Sequence, residues 1–476
     1  MTELTASPTL TTTTTTVVPA ITAQDDIDDQ FPHIQAFQNV LIHMPSGNVK
    51  FVNLKPNTSV SMGKFGTFQA DNLIGQPFGL SYEIYDQNGS IRPTKNWALA
   101  TVEETTANNQ TILDNSAVQT LTHEEIEKLK EEGLKGNMDA NEIIQKMVES
   151  HSEFSKKTEY SKAKYIQRKK KKFLKVFTPV RPTLSSITKY FFTKNPDKIK
   201  NLRIDTLSQL LGMANIHAHS KVLVVDDTQG LIVAAVAERM GGFGTILGLH
   251  EGESHNYDIL RYMNFSKHIL DTIHTVPFSR ADPADPDDAW EDKTEEELKE
   301  LTDNAMRSYL RRKKAAEVKA HSRKLLFDGG FDGLIISSSY APETVLQYLT
   351  KYLNGSRPVV IYSYHKEALL SASHWMRKSE DYLQADITES SLRQYQVLPG
   401  RTHPEMNMSA SGGYLLSGLR VINCEFDPSL APASDNNRRG KKRKAETKKT
   451  GEENTEPVST EMDAMASEAT PLETSS

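Results

Sequence analysis

Apolar and polar positions change rhythm three times along the chain. Between 31 and 115 the apolar residues fall in short, often alternating stretches: Asn39 to Met44, Asn48 to Leu54, Thr67 to Ala70 and Leu80 to Tyr85. Turn chemistry separates them, at Pro45-Ser46-Gly47, Lys55-Pro56-Asn57, Gly63, Gly66, Gly75 and Asn88-Gly89. Alternation with period two turns one face of each strand inward. Several short strands at this spacing predict a small β-barrel-like domain. The polar stretch from Thr101 to Ser116 reads as its exit linker.

Residues 116 to 215 change to helical grammar. Thr122 and Glu125 have capping-box spacing, with Leu121 and Ile126 placed as a hydrophobic staple, and Met138, Asp139, Glu142 and Ile143 repeat the pattern. A third helix from about Thr158 carries the block Arg168 to Lys172 and is expected to stop near Pro179 and Pro182. Asp205 is placed to cap a helix over Thr206 to Leu211, with Gly212 as its stop.

From 216 to 425 near-continuous Val/Ile/Leu strands alternate with helices. The strands are Lys221 to Asp226, Thr245 to Leu249, Thr272 to Pro277, Asp332 to Ser337 and Val359 to Tyr362. Helices are expected at Leu231 to Met240, after Pro342, and at Lys366 to Met376. Strands apolar on both faces indicate a parallel sheet covered on both sides. Tyr382 to Ile387 and Tyr414 to Cys424, with only a short punctuated segment between them, predict a terminal antiparallel pair. The predicted class is α/β, with the doubly wound layout of S-adenosylmethionine-dependent methyltransferases.

Composition and charge refine this picture. Of the 476 residues, 37% are hydrophobic and 25% charged, and the polar excess sits at the ends. Residues 1 to 30 and 433 to 476 have little to bury and are expected to be disordered tails. The single cysteine, Cys424, excludes a disulfide framework or thiolate-cluster zinc site. With no leader-like segment or spanning apolar run, the sequence predicts a soluble intracellular protein without a membrane partner.

The net charge of -6 is an average over segregated blocks. Ser155 to Lys175 holds ten Lys/Arg against one acid, Glu159, while 281 to 304 holds eleven Asp/Glu against Lys293 and Lys299. Lys162, Lys164, Arg168, Lys169, Lys170, Lys171 and Lys172 are the candidate phosphate-binding residues, because a helix carrying five consecutive cations must expose some of them. Tyr160, Tyr165 and Phe173 interleave with them, and either stack on bases or pack inward. In the C-terminal tail, Arg438, Arg439, Lys441, Lys442, Arg443 and Lys444 form a candidate nuclear localisation signal. The charged insertion at 281 to 324 has two readings: a solvated helical hairpin pairing with itself, or a nucleic-acid contact through Arg311 to Lys314.

The sheet lacks the usual equipment for an adenosine cofactor. Its first turn, Asp226-Asp227-Thr228-Gln229-Gly230, retains one glycine where close backbone approach needs at least two. Only Glu251 stands where an acid for ribose hydroxyls belongs. The fourth strand ends in Ser337-Ser338-Ser339-Tyr340-Ala341-Pro342, which carries no acid or base. Gly241-Gly242-Phe243-Gly244 follows a helix and reads as its stop, whereas a phosphate loop precedes one. His217 and His219 lack a third metal ligand at useful spacing. No catalytic, cofactor-binding or metal residue is assigned.

Several segments together carry a resemblance: Asn39 to Asn48, Gly63-Lys-Phe-Gly66, Arg168 to Lys172 and Met240-Gly-Gly-Phe-Gly244. Gln396-Val-Leu-Pro399, Arg401-Thr-His-Pro404 and Gly412 to Gly418 complete it. Over roughly 35 to 425 the chain resembles the non-catalytic, tRNA-binding subunits of the eukaryotic tRNA (adenine(58)-N(1))-methyltransferase complex, which forms N1-methyladenosine in the T-loop. The resemblance implies a heterotetramer of two such subunits with two catalytic subunits that bind S-adenosylmethionine. It also implies a nuclear location and tRNA substrates that include initiator methionine tRNA. Arg401 to Gly418 is a candidate subunit interface. The competing functions are a methyltransferase active by itself and a stand-alone nuclear RNA-binding factor in translation initiation or ribosome assembly.

Overall fold

A computed structural model describes residues 33–86, 88–94, 124–125, 128–129, 140–151, 154, 158–173, 175–283, 290, 292–299, 301–397 and 402–422. Strands β1 (Asn39–His43), β2 (Val49–Asn53), β3 (Ser59–Ser61), β4 (Thr67–Gln69), β5 (Tyr82–Ile84) and β6 (Ile91–Pro93) come first, with the short helix α1 (Ala70–Leu73) after β4. Helices α2 (Ala140–Glu149) and α3 (Glu159–Phe173) follow. The chain then turns back as strand β7 (Val176–Val180), where the sequence suggests a continuing helix.

That strand completes the first sheet, whose order is β2-β1-β7-β5-β6 and whose pairings are all antiparallel. The small β unit is therefore assembled from two stretches, 39–93 and 176–180, and is not contained within 31 to 115. Burial explains why. Phe177 is fully buried and stacks on Phe68 with ring centroids 4.5 Å apart, in a core with Ile42, Leu54 and Tyr82. Propensity for either state is weak beside that burial. Pro179 is tolerated because β5 ends before reaching it, and Gly79 N–H donates to its carbonyl at 2.8 Å.

The second sheet is preceded by α4 (Leu184–Lys194) and α5 (Ile204–Met213). A capping box closes the start of α4, with Thr183 and Ser186 each serving the other's backbone N–H. Asp205 does not cap α5; it lies inside the first turn and binds Arg203, whose Nε and Nη2 donate to its two oxygens at 2.6 and 2.8 Å. Burial alone would push the Asp205 carboxyl up, but Arg203 and the Ser390 hydroxyl outweigh it and hold it below the ordinary range. Gly212 lies within the helix, which runs on to Met213.

The remaining elements are β8 (Lys221–Asp226), α6 (Leu231–Met240), β9 (Thr245–His250), α7 (Lys267–Leu270), β10 (Ile273–Pro277), α8 (Glu295–Lys299), α9 (Asp303–Phe327), β11 (Gly333–Ser337), α10 (Pro342–Leu349), β12 (Arg357–Ser363), α11 (Glu367–Lys378) and β13 (Tyr382–Ser391). A two-residue pair, β14 (Tyr395–Gln396) and β15 (His403–Pro404), precedes β16 (Ser411–Arg420). The order is β10-β9-β8-β11-β12-β16-β13. The first five strands are parallel, and β16 runs antiparallel between β12 and β13. This is the doubly wound methyltransferase layout with its antiparallel end, as the sequence suggests. Separate apolar clusters, centred on Val224, Leu231 and Ile246 and on Leu247, Leu334 and Ile361, cover the two faces.

The two sheets are joined by direct contacts. Asn39 N–H donates to Asn264 Oδ1 at 2.9 Å, and Asn264 Nδ2 returns a bond to the Asn39 carbonyl at 2.8 Å. Phe51 of β2 packs between Tyr190 and Tyr262, both at 4.6 Å.

The charged insertion also differs from its reading as a wholly solvated excursion. Its basic half is the first part of α9, and the last turns of that helix bury Ser322, Arg323 and Leu326. One helix thus serves as the crossover between β10 and β11 and as the carrier of the charge. The Thr122 and Met138 capping patterns, both tails and Cys424 lie outside the described residues.

Candidate nucleic-acid interface

Helix α3 is held by α2. Ile143, Ile144 and Met147 of α2 are buried, and Ile144 shares a small apolar cluster with Val176 of β7. Tyr165 faces this packing. Its ring meets His151 edge-on at 5.1 Å and Phe154 at 5.7 Å, and its hydroxyl donates to the Met147 carbonyl at 3.5 Å. Of the two readings for the interleaved aromatics, Tyr165 takes the inward one; the side chains of Tyr160 and Phe173 lie outside the described atoms.

With Tyr165 turned inward, the cations divide between two environments. Lys164 and Arg168, four residues apart and so on one face, are exposed. Lys162, Lys169 and Lys170 are half-buried along the flank. The ammonium of Lys162 lies 5.9 Å from the Phe154 ring centre and that of Lys169 lies 5.1 Å from Tyr165. Aromatic faces attract cations while leaving N–H groups to reach outward. Lys171 and Lys172 complete the last turn. Arg438 to Lys444 are outside the described residues.

The carboxyl edge of the second sheet is the other place to look for chemistry. The Asp226 carboxylate ends β8 almost fully buried. Its Oδ1 accepts from Thr228 N at 2.6 Å and Thr228 Oγ1 at 2.5 Å; its Oδ2 accepts from Ile232 N at 3.1 Å and Val233 N at 3.2 Å. Burial pushes this carboxyl up, further than its donors pull it down. Both oxygens that a ligand could address are turned inward, Oδ1 onto Thr228 and Oδ2 onto the start of α6.

Space is closed as well as chemistry. Gln229 and Gly230 have φ of 57 and 80, and the Gln229 carbonyl accepts from Ile259 N at 3.1 Å. Tyr257 lies over the turn: a Cβ added at Gly230 would come within 2.8 Å of the Tyr257 backbone, and one at Gly248 of β9 would meet the Tyr257 hydroxyl. The tyrosine is 4% exposed, and His255 stacks on it at 4.8 Å. Glu251, the one acid placed for a ribose, lies beside Tyr340, whose phenol is raised by desolvation and then by the Glu251 charge. These residues do not fit S-adenosylmethionine.

The end of β11 is likewise tied internally. Asp227 N–H donates to the Ser337 carbonyl at 2.9 Å, Ser339 N–H donates to Asp227 Oδ2 at 2.8 Å, and Lys200 Nζ donates to Ser339 Oγ at 2.7 Å. None of these groups forms a nucleophile–base pair. Sequence reasoning missed Tyr257, because nothing local marks a tyrosine nearly thirty residues on as the filler of this turn. Gly241, with φ 65, ends α6 in a left-handed cap, so Gly241–Gly244 is the helix stop that its position suggests. Among the described residues, no three His, Cys, Asp or Glu side chains are grouped to hold a metal ion, and no helix is long and apolar enough to cross a membrane.

Comparison with known proteins adds the following. The Gcd10p family profile matches residues 33–308. The chain is 35% identical over 410 residues to the tRNA (adenine(58)-N(1))-methyltransferase non-catalytic subunit TRM6 of Debaryomyces hansenii, covering 81% of this chain and 86% of that protein. It is 30% identical over 423 residues to the protein of the same name from Mus musculus, covering 76% and 84%. Among solved structures, the tRNA (m1A58) methyltransferase TrmI from Aquifex aeolicus aligns with a TM-score of 0.42 at 15% identity, covering 82% of this chain and 100% of that one.

Proposed function

The chain belongs to the Gcd10p family, and from that premise we propose that it is the non-catalytic subunit of a tRNA (adenine(58)-N(1))-methyltransferase, gripping tRNA for a partner that binds S-adenosylmethionine. The observation that carries this reading is the filled cofactor edge. Asp226 is bound to the amides of α6, and Tyr257 occupies the space beside Gly230 and Gly248. A fold retained without its site remains useful as a surface. The phosphate grip is assigned to Lys162, Lys164 and Arg168 to Lys172.

The resemblance extends the proposal to an assembly of two such subunits with two catalytic ones, acting on tRNA that includes initiator methionine tRNA. Methyl transfer to an unmodified tRNA transcript tests the central reading. The chain alone is expected to transfer nothing and to restore transfer when mixed with the catalytic subunit. Transfer by the chain alone, or a catalytic subunit fully active without it, overturns the proposal.

The proposal also places the protein in the nucleus, through Arg438, Arg439, Lys441, Lys442, Arg443 and Lys444. Six cations within seven positions suit an import receptor. Deleting 433 to 476 is expected to leave the protein cytoplasmic in cells depleted of the catalytic subunit. Undiminished nuclear accumulation there sinks the assignment.

A further inference from the structure

Helix α9 is longer than the sheet it crosses. It has 25 residues, and His321 stands beside His274 of β10 with ring centres 5.3 Å apart. In a right-handed crossover such a helix runs antiparallel to the parallel strands. From His321 to Asp303 is about 27 Å of helix at 1.5 Å per residue, against about 10 Å of strand from His274 to Pro277. The N-terminal half of α9 therefore projects roughly 17 Å past the carboxyl edge of the sheet, the edge on which this fold class holds substrates.

The projecting part is braced and cationic. Asp292 gathers three donors onto one oxygen: Lys313 Nζ at 2.7 Å, the Tyr309 hydroxyl at 3.0 Å and Trp290 Nε1 at 3.1 Å. The Trp290 and Tyr309 rings also pack at 5.5 Å. This is the self-pairing suggested by the sequence, and of the described cations in the first half of α9 it engages Lys313. Arg307, Arg311, Arg312 and Lys314 are exposed, with no ion pair or hydrogen bond among the described residues. At 100° per residue, Arg307, Arg311 and Lys314 lie within about 40° of the pole opposite Tyr309. The brace thus faces one way and Arg307, Arg311 and Lys314 the other, with Arg312 exposed on the flank between them. Exposed acids on α9 are limited to Asp303 and Glu317.

We propose that Arg307, Arg311, Arg312 and Lys314 form a second phosphate-binding surface for tRNA, separate from α3. A row of like charges on a rigid, braced helix carries a self-repulsion that a bound polyanion relieves. Guanidinium groups suit phosphate through bidentate bonding. The surface rests on the reading of this chain as a tRNA-gripping subunit.

The test compares four forms of the complex with the catalytic subunit, using full-length unmodified tRNA transcript over a salt series. They are the parent, Lys169→Ala/Lys170→Ala/Lys171→Ala/Lys172→Ala, Arg307→Ala/Arg311→Ala/Arg312→Ala/Lys314→Ala, and all eight together. Alanine at exposed helical positions preserves the helix. The α9 variant is expected to bind tRNA about tenfold more weakly, with a log Kd against log salt slope smaller by roughly 3, and the eightfold variant to lose both increments. If the α9 variant binds as the parent does while the α3 variant is weakened, the second surface is wrong and the tRNA reading stands. If neither changes binding, both assignments fall. If the α9 variant no longer copurifies with the catalytic subunit, the helix is a protein-docking face and the inference is overturned.

Discussion

Replacing Asp226 by alanine is expected to destabilise the protein by about 3–5 kcal/mol, the largest effect expected of any single residue in this turn. The carboxylate accepts four hydrogen bonds, three of them from backbone N–H groups at Thr228, Ile232 and Val233. Thr228 is fully buried in the turn, and the other two amides belong to a helix whose residues from Leu231 to Ala237 are all buried, so water cannot replace the lost acceptor. A negative group at that helix start also offsets the macrodipole. An asparagine side chain there would restore the shape and one acceptor while turning an NH2 toward backbone donors, so Asp226→Asn is expected to fall between the two. Thermal denaturation with and without the catalytic subunit measures the effect, expected at about 10 °C on the scale of 2–4 °C per kcal/mol. A drop under about 3 °C would show that the turn after β8 is held by something other than this carboxylate.

The second large effect is on binding. Neutralising Lys169 to Lys172 in α3 is expected to weaken tRNA binding by about 30-fold at moderate salt, from roughly 0.5 kcal/mol for each of four charge contacts. The salt slope is expected to fall by about 3 because phosphates, and not base edges, are contacted. Unrelated tRNA sequences are expected to lose the same factor. The complex stays assembled, since α3 packs on α2 through Tyr165 and the apolar side chains of Ile144 and Met147, which are untouched. A variant that binds with unchanged affinity places the tRNA surface elsewhere. One that discriminates between tRNA sequences would point to base readout.

These two sites differ in how far they can be read along the chain. The cations of α3 are visible as residues, because five consecutive Lys/Arg on any helix cannot all be buried. Which of them point outward is not visible: that follows from Tyr165 turning toward His151 and Met147. At the turn after β8 the sequence shows one glycine, Gly230, where a cofactor loop needs at least two. It does not show that Asp226 reaches forward to α6, or that Tyr257 closes the space beside Gly230.

The parallel, helix-covered character of the second sheet follows from the sequence by itself, because strands buried on both faces must be mostly apolar and their connecting helices must follow in alternation. Lys221–Asp226, Thr245–His250 and Gly333–Ser337 all obey this. Capping by Thr183 and the stop at Gly241 are likewise local, each satisfied within a few residues. Tertiary structure decided the rest. Val176–Val180 became a strand because Phe177 had a distant Phe68 to stack on, and Asp205 became the partner of Arg203 because Arg203 also had carbonyls at Ala410 and Ser411 to bind. Helix α9 buries Ser322, Arg323 and Leu326 in its last turns, while Arg307, Arg311, Arg312 and Lys314 in its first half stay exposed. In each case the deciding contact joins residues far apart in sequence. A periodic pattern reports which face of an element is buried, but not which distant residue buries it.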